Sequence, residues 1–436
     1  MCQDHTPPRP QLPGEEGQRA EFPWQLGAVD AHCHPTDTMA SIVSVPTMRA
    51  RVLTIMATRS QDQDLVAQVA ARHSFSDRAA LATPPTEGSA VTDKIVPAWG
   101  WHPWFSHQLY DDTSDGHSTY DGSLASTSEE EKANQQARHY TAVLSGNPDA
   151  AFIASLPEPK SLSSFLAETR RRLEEFPLAL IGEIGFDKGF RLPVPWTEEE
   201  WANRNQGETP GARGNRALTK HHVEQDHQVM ILKAQLRLAG QLGRAVSVHG
   251  VQGHGILFDA LSSLWKGYEK EVLSRRQQRR IAPGAEDFSD FSSEESDRED
   301  IENRDVNSNK TENSQPYKPM PFPPRICLHS FSADDGWVKQ YMRPQIPARI
   351  YFSFSTEVNL TGPTDAKTQA LGEKFAQVIK ACPDDRILLE SDLHVAGEEI
   401  DYYLEHIYRK VCLIKGWTLE QGVRQTRKNY EEFIFG

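Results

Sequence analysis

A chain of 436 residues with 38% hydrophobic content can bury one large core with insertions or two ordinary ones. It has no apolar run of about 18 residues for a membrane span, and its five scattered cysteines (Cys2, Cys33, Cys327, Cys382, Cys412) set aside a disulfide framework or a CxxC zinc site. The formal charge of −14 looks hostile to nucleic acid, yet residues 110 to 131 carry −7 of it and residues 286 to 305 carry −8, so the remaining body is near neutral and a polyanionic substrate stays open.

Residues 1 to 26 are polar and proline-rich, with neither a signal-peptide apolar region nor an Arg-rich transit helix, and read as a disordered segment before a single domain at 27 to 436. Cytosol or nucleus is the expected compartment. From there eight β-branched or apolar runs follow in order: GAVDAH (27–32), RVLTIMAT (51–58), KIVPAWG (94–100), LALIGEI (178–184), RAVSVH (244–249), RICLH (325–329), ARIYFSF (348–354) and RILLES (386–391). Their near-continuous apolar character suits strands covered on both faces. Helical periodicity separates most of them, as in DQDLVAQVAARH, SLSSFLAETRRRLEEF, QVMILKAQLRLAGQLG and KTQALGEKFAQVIKAC. Strand and helix alternating eight times predicts an α/β (β/α)₈ TIM barrel. No GxGxxG or GxxxxGK[ST] loop follows any strand, which counts against a doubly wound sheet.

Three stretches interrupt the alternation and read as polar insertions into one barrel: about 106–150, 201–222 and 268–320. The first and third have few apolar residues to offset chain entropy and are expected to be disordered or loosely packed. The third holds an acidic tract in which Ser292, Ser293 and Ser296 are candidate phosphorylation sites, and such a tract is a candidate surface for a protein partner.

The histidines and acids fall at strand ends. His32 and His34 close the first run, where period-two geometry turns both side chains to one face. Glu183 closes the fourth, His249 the fifth, His329 the sixth and Asp392 the eighth. In a parallel barrel these ends share one rim, where active sites of the fold lie. Each residue alone has a plainer reading, as a packed histidine or a helix-capping carboxylate. Together they predict a centre for one or two divalent ions, with imidazole and carboxylate donors suited to Mg²⁺, Mn²⁺ or Zn²⁺. Glu183 is the expected bridge between ions about 3.5–4 Å apart. Asp392 and Glu183 are the candidate catalytic residues, Asp392 as acceptor of a proton from water acidified at the centre. His102 and Trp101 in GWHPWF are the candidate substrate contacts, Trp101 with Trp104 and Phe105 as stacking surfaces. Asp187 is expected to hold a loop or a ligand imidazole, and Cys33 to point away from the histidines into the core.

In order, AVDAHCHP, GWHP, IGEIGFD, the helix leading to VSVHG, LHSFS and LLESD resemble the motif series of the TatD-related deoxyribonucleases, amidohydrolase-like barrels, and especially fungal members with long insertions. The resemblance spans about residues 27 to 434. It implies a metal-dependent phosphodiesterase acting on DNA, of the 3′-to-5′ exonuclease type. It also implies that His32, His34, Glu183, His249, His329 and Asp392 are the ligands. The surroundings depart from the pattern: LHSFSA stands for LHCFSG, ESD for ETD, and LHVAG for an Ala/Ser-Pro turn, which bears on substrate preference. A hydrolase of another ester or amide, and a barrel working mainly through partner binding, are the alternatives. A monomer is the expected state.

Overall fold

Each of the eight apolar runs forms a strand in the computed structural model, which describes residues 20–83, 93–113, 118–122, 128–209, 216–272, 317–359 and 366–436. The strands are β1 (Val29–Cys33), β2 (Val52–Ala57), β3 (Ile95–Trp99), β4 (Ile181–Asp187), β5 (Val246–Val251), β6 (Arg325–Leu328), β7 (Arg349–Phe354) and β8 (Ile387–Leu389). They pair in parallel as one group of three, β1 to β3, and one of five, β4 to β8.

Hydrogen bonds join the two groups at both edges. Between β3 and β4, Trp99 N–H donates to the Leu180 carbonyl at 3.2 Å and Leu180 N–H to that of Pro97 at 3.1 Å. Between β8 and β1, Asp392 N–H donates to the His32 carbonyl at 3.0 Å and His34 N–H to that of Leu393 at 2.7 Å. The strands thus form a closed parallel ring, the (β/α)₈ barrel expected from the alternation. Every residue of β1 to β4 is buried, as strands lined by side chains inside and by helices outside must be.

The outer layer contains α1 (Ser60–His73), α2 (Leu162–Glu175), α3 (Gln225–Leu242), α4 (His254–Trp265), α5 (Asp335–Tyr341), α6 (Ala366–Ala381), α7 (Glu398–Lys415) and α8 (Leu419–Phe435). α2 illustrates why they form. The Ser161 hydroxyl accepts from Ser164 N–H at its start, and Leu162, Phe165, Thr169, Arg172 and Leu173 recur at helical spacing on the buried side. α3 stops where Gly243 takes a left-handed conformation, φ 66°. α7 and α8 tie the end of the chain to its first strands: the Tyr408 hydroxyl bonds the Val29 backbone, and that of Tyr430 lies 2.7 Å from Thr54 Oγ1. Among the described residues, no helix is long and apolar enough to cross a membrane.

The described parts of the polar stretches are packed more than their composition predicts. Within 106–150, Ser128 caps a helix at Glu129–Val143 that buries His139, Tyr140 and Val143. Tyr140, Val143 and Leu144 then pack with Phe152, Ile153, Leu192 and Val223. Too few to make a core alone, these apolar residues suffice because they dock on the segment after β4. At the Pro-rich end of 268–320 the Tyr317 hydroxyl donates to the Gly240 carbonyl, and Phe322 just beyond it is buried. Phe22 and Trp24 are buried too, so residues 20–26 belong to the fold rather than to a disordered leader. Residues 1–19 and the acidic tract with its three serines lie outside the described residues.

One connection matters for the site. After β4 the chain leaves the rim, pairs with its own return at Val194 N–H to Ala217 O and Thr219 N–H to Leu192 O, and reaches the loop after β1. There Thr209 donates from its N–H to the Asp37 carbonyl at 2.7 Å and from its hydroxyl to the Thr36 carbonyl. The described residues of the 201–222 stretch are therefore part of a strap latched at Thr209 to the loop after β1.

Candidate metal centre

Alternation along β1 turns His32 and His34 the same way, and their Nε2 atoms lie 3.1 Å apart. Cys33 between them is buried on the other side, its thiol directed at the Thr54 carbonyl. Asp392 follows β8 with φ 59°, a left-handed conformation that Asp tolerates better than most residues. Its Oδ1 lies 3.4 Å from His34 Nε2 and 3.8 Å from His32 Nε2.

Glu183 occupies the middle. Its Oε2 faces His34 Nε2 at 3.4 Å and His32 Nε2 at 3.5 Å. Its Oε1 faces His329 Nε2 at 2.6 Å, His249 Nδ1 at 2.8 Å and His102 Nε2 at 3.1 Å. Gly185 allows this approach, because a Cβ there would run into the His249 carbonyl. All six expected metal residues thus converge on one rim, forming donor groups His32/His34/Asp392, His32/Glu183/His329 and His102/Glu183/His249. Five buried imidazoles around two carboxylates suit a divalent cation, since nitrogen lone pairs this close otherwise need protons between them. His329 Nδ1 has no hydrogen-bond partner among the described residues.

The charges respond to this crowding. Burial alone would raise the Glu183 carboxyl, but the charges of His102 and His329 and the histidine hydrogen bonds hold it well below the carboxylate range. Burial pushes His102 down to about 4. Burial also opposes a charge on His34, yet the Asp392 hydrogen bond and the Glu183 and Asp392 carboxylates carry it up to about 9.

His102 is buried with its ring turned toward Glu183. Its Nδ1 accepts from Trp104 N–H at 3.1 Å, leaving Nε2–H to donate to Glu183 inside the centre. Trp101 is a correction: 1% exposed, it packs edge-on against Phe165 and donates its indole N–H to the Phe105 carbonyl, so no base can stack on it. Its neighbour Trp104 is the aromatic on the rim, stacked on Phe190 and donating to Asp187 Oδ2 at 2.6 Å.

Behind the candidate donors stands a layer of which the sequence suggests only Asp187 and, as a residue that could orient a ligand, His102. Asp187 Oδ2 lies 3.1 Å from His249 Nε2, so the carboxylate orients that ring toward Glu183. Ser247 Oγ sits 2.9 Å from His32 Nδ1. Asp30 accepts from Ser391 N–H and hydroxyl and from His32 N–H, and Glu390 accepts from Ser330 N–H and hydroxyl. An acid inside an apolar strand run, as in AVDAH and LLESD, was the available signal, because a buried carboxylate must have partners. Asp187→Asn is expected to weaken metal binding about 10- to 100-fold while the melting temperature stays close to that of the parent. Competition against a chelating dye measures this, and unchanged affinity would reduce Asp187 to an anchor for Trp104.

The family described as TatD related DNase matches residues 29–435. "Cut9-interacting protein scn1" of Schizosaccharomyces pombe is 32% identical over 407 residues, covering 93% of this chain and 98% of that protein. "Uncharacterized deoxyribonuclease YMR262W" of Saccharomyces cerevisiae is 22% identical over 424 residues, with the same coverage of both. A TatD family hydrolase structure from Entamoeba histolytica aligns over 94% of this chain and 98% of its own, with a TM-score of 0.47 and 11% identity.

Proposed function

The chain belongs to the TatD related DNase family and is a hydrolase of that kind, and from that premise we propose that it cleaves phosphodiester bonds of DNA at a centre of one or two divalent cations. The observation that carries this reading is Glu183, whose two oxygens face two separate sets of imidazoles. In the proposal His32, His34 and Asp392 hold one cation, His249 and His329 the other, and Glu183 both. A bound cation supplies Lewis acidity, polarising a phosphoryl oxygen and acidifying water. Asp392 would accept a proton from that water; its Oδ1 lies 3.4 Å from His34 Nε2 and its Oδ2 accepts from the Ser330 hydroxyl at 3.2 Å. His102 donates to Glu183 and keeps that carboxylate's charge directed inward.

The proposal extends to stepwise removal of nucleotides from a 3′ end. In this reading the latch of Thr209 onto the Asp37 and Thr36 carbonyls, across from β4, would favour entry of a strand end over an internal stretch. The fission yeast relative is named for an interaction with Cut9, and a protein partner of this chain is a second part of the reading.

The test is to strip the full chain with chelator and restore Mg²⁺, Mn²⁺ or Zn²⁺. Short single- and double-stranded DNA labelled at either end is then assayed beside a carboxyl ester. Cleavage only of DNA, only with metal, and shortening from the 3′ end is the expected result. Stoichiometric metal with ester turnover and intact DNA would discard the substrate while keeping the centre.

A further inference from the structure

The loop after β8 departs from the family turn and carries His394 over the mouth of the centre. Its ring stacks on that of His34, with centroids 5.3 Å apart and planes 19° from parallel. Nδ1 lies 2.7 Å from Asp37 Oδ2, yet the side chain is 65% exposed. An exposed histidine ordinarily samples several rotamers, and fixing one opposes side-chain entropy. Here Asp37 supplies the restraint and is itself held: Arg59 donates to its Oδ1 at 2.9 Å, and Thr209 of the strap donates to its carbonyl. His394 belongs to none of the three donor groups, and among the described residues its Nε2 makes no hydrogen bond. What remains available is one flat ring face, set at a defined angle beside the reacting centre.

Building on the nuclease reading, we propose that His394 is a stacking platform for the nucleobase next to the phosphate held at the metal centre, with Asp37 setting the plane of the ring. A flat face of this kind accepts any base, so it fits a nucleic-acid strand read without sequence preference. The strap then has a part in binding, because its latch fixes the backbone of the residue that orients the platform.

The test uses the metal-loaded full chain with His394→Ala and His394→Phe. The substrates are a short single-stranded DNA and the same strand made abasic at its terminal position. For the normal strand, alanine is expected to raise KM about tenfold with kcat and metal content unchanged, and phenylalanine to recover most of the loss. For the abasic strand, alanine is expected to change little. An unchanged KM in an active alanine variant overturns this inference alone, as does loss of metal and kcat without a change in KM, which would make the ring a prop for His34. Absence of any DNA cleavage by the metal-loaded parent chain overturns the nuclease reading and this inference with it.

Discussion

Glu183→Ala should empty the centre of metal and lower hydrolysis by on the order of a thousandfold. The two oxygens of Glu183 lie within 3.5 Å of nitrogens from His32, His34, His102, His249 and His329, one oxygen toward each set of imidazoles. Removing it deletes a donor from each set and leaves the rings without the anion that drew them together. The imidazoles can remain neutral, so the barrel should persist and its circular dichroism should match that of the parent. Elemental analysis after dialysis gives the metal count and DNA cleavage gives the rate. A variant that keeps full metal occupancy and loses only turnover would leave Glu183 a catalytic group and remove it as the bridge.

Asp392→Asn separates charge from shape. Asparagine tolerates the left-handed φ of 59° at this position, so the N–H bond to the His32 carbonyl survives while the carboxylate is lost. The expected outcome is a kcat about 10²–10⁴ lower, the range a positioned proton acceptor contributes. Bound metal should fall by up to one ion for each chain, from the His32 and His34 side. A pH–rate profile of the residual activity completes the test. If the Asp392→Asn variant turned over DNA at the parent rate, proton acceptance would have to be assigned to another group.

The barrel was legible because parallel strands buried on both faces must be almost wholly apolar, and such runs stand out between polar loops. The convergence of the six candidate donors was legible for a related reason. A histidine or acid ending an apolar strand lies outside the pattern of packing, and six of them share one rim. Trp101 was misread because a strand-end aromatic can face either the mouth or the surrounding helices, and only its neighbours decide: Phe165 of α2 covers it. The packed helix at Glu129–Val143 was missed because its apolar residues are sparse and find their partners far along the chain, at Leu192 and Val223. His394 and Asp37 were equally hidden. They meet only because β8 lies beside β1, a relation no local pattern encodes.

That adjacency of first and last strands bears on how the protein is made. His32 and His34 leave the ribosome well ahead of partners that fix them, Ser391 on Asp30 and Asp392 on His32, which come about 360 residues later. Any fragment that ends before β8 lacks both a donor and the seam that aligns the others. During synthesis the nascent chain therefore carries histidines without a centre, and a broken or stalled translation product is an inactive hydrolase by construction.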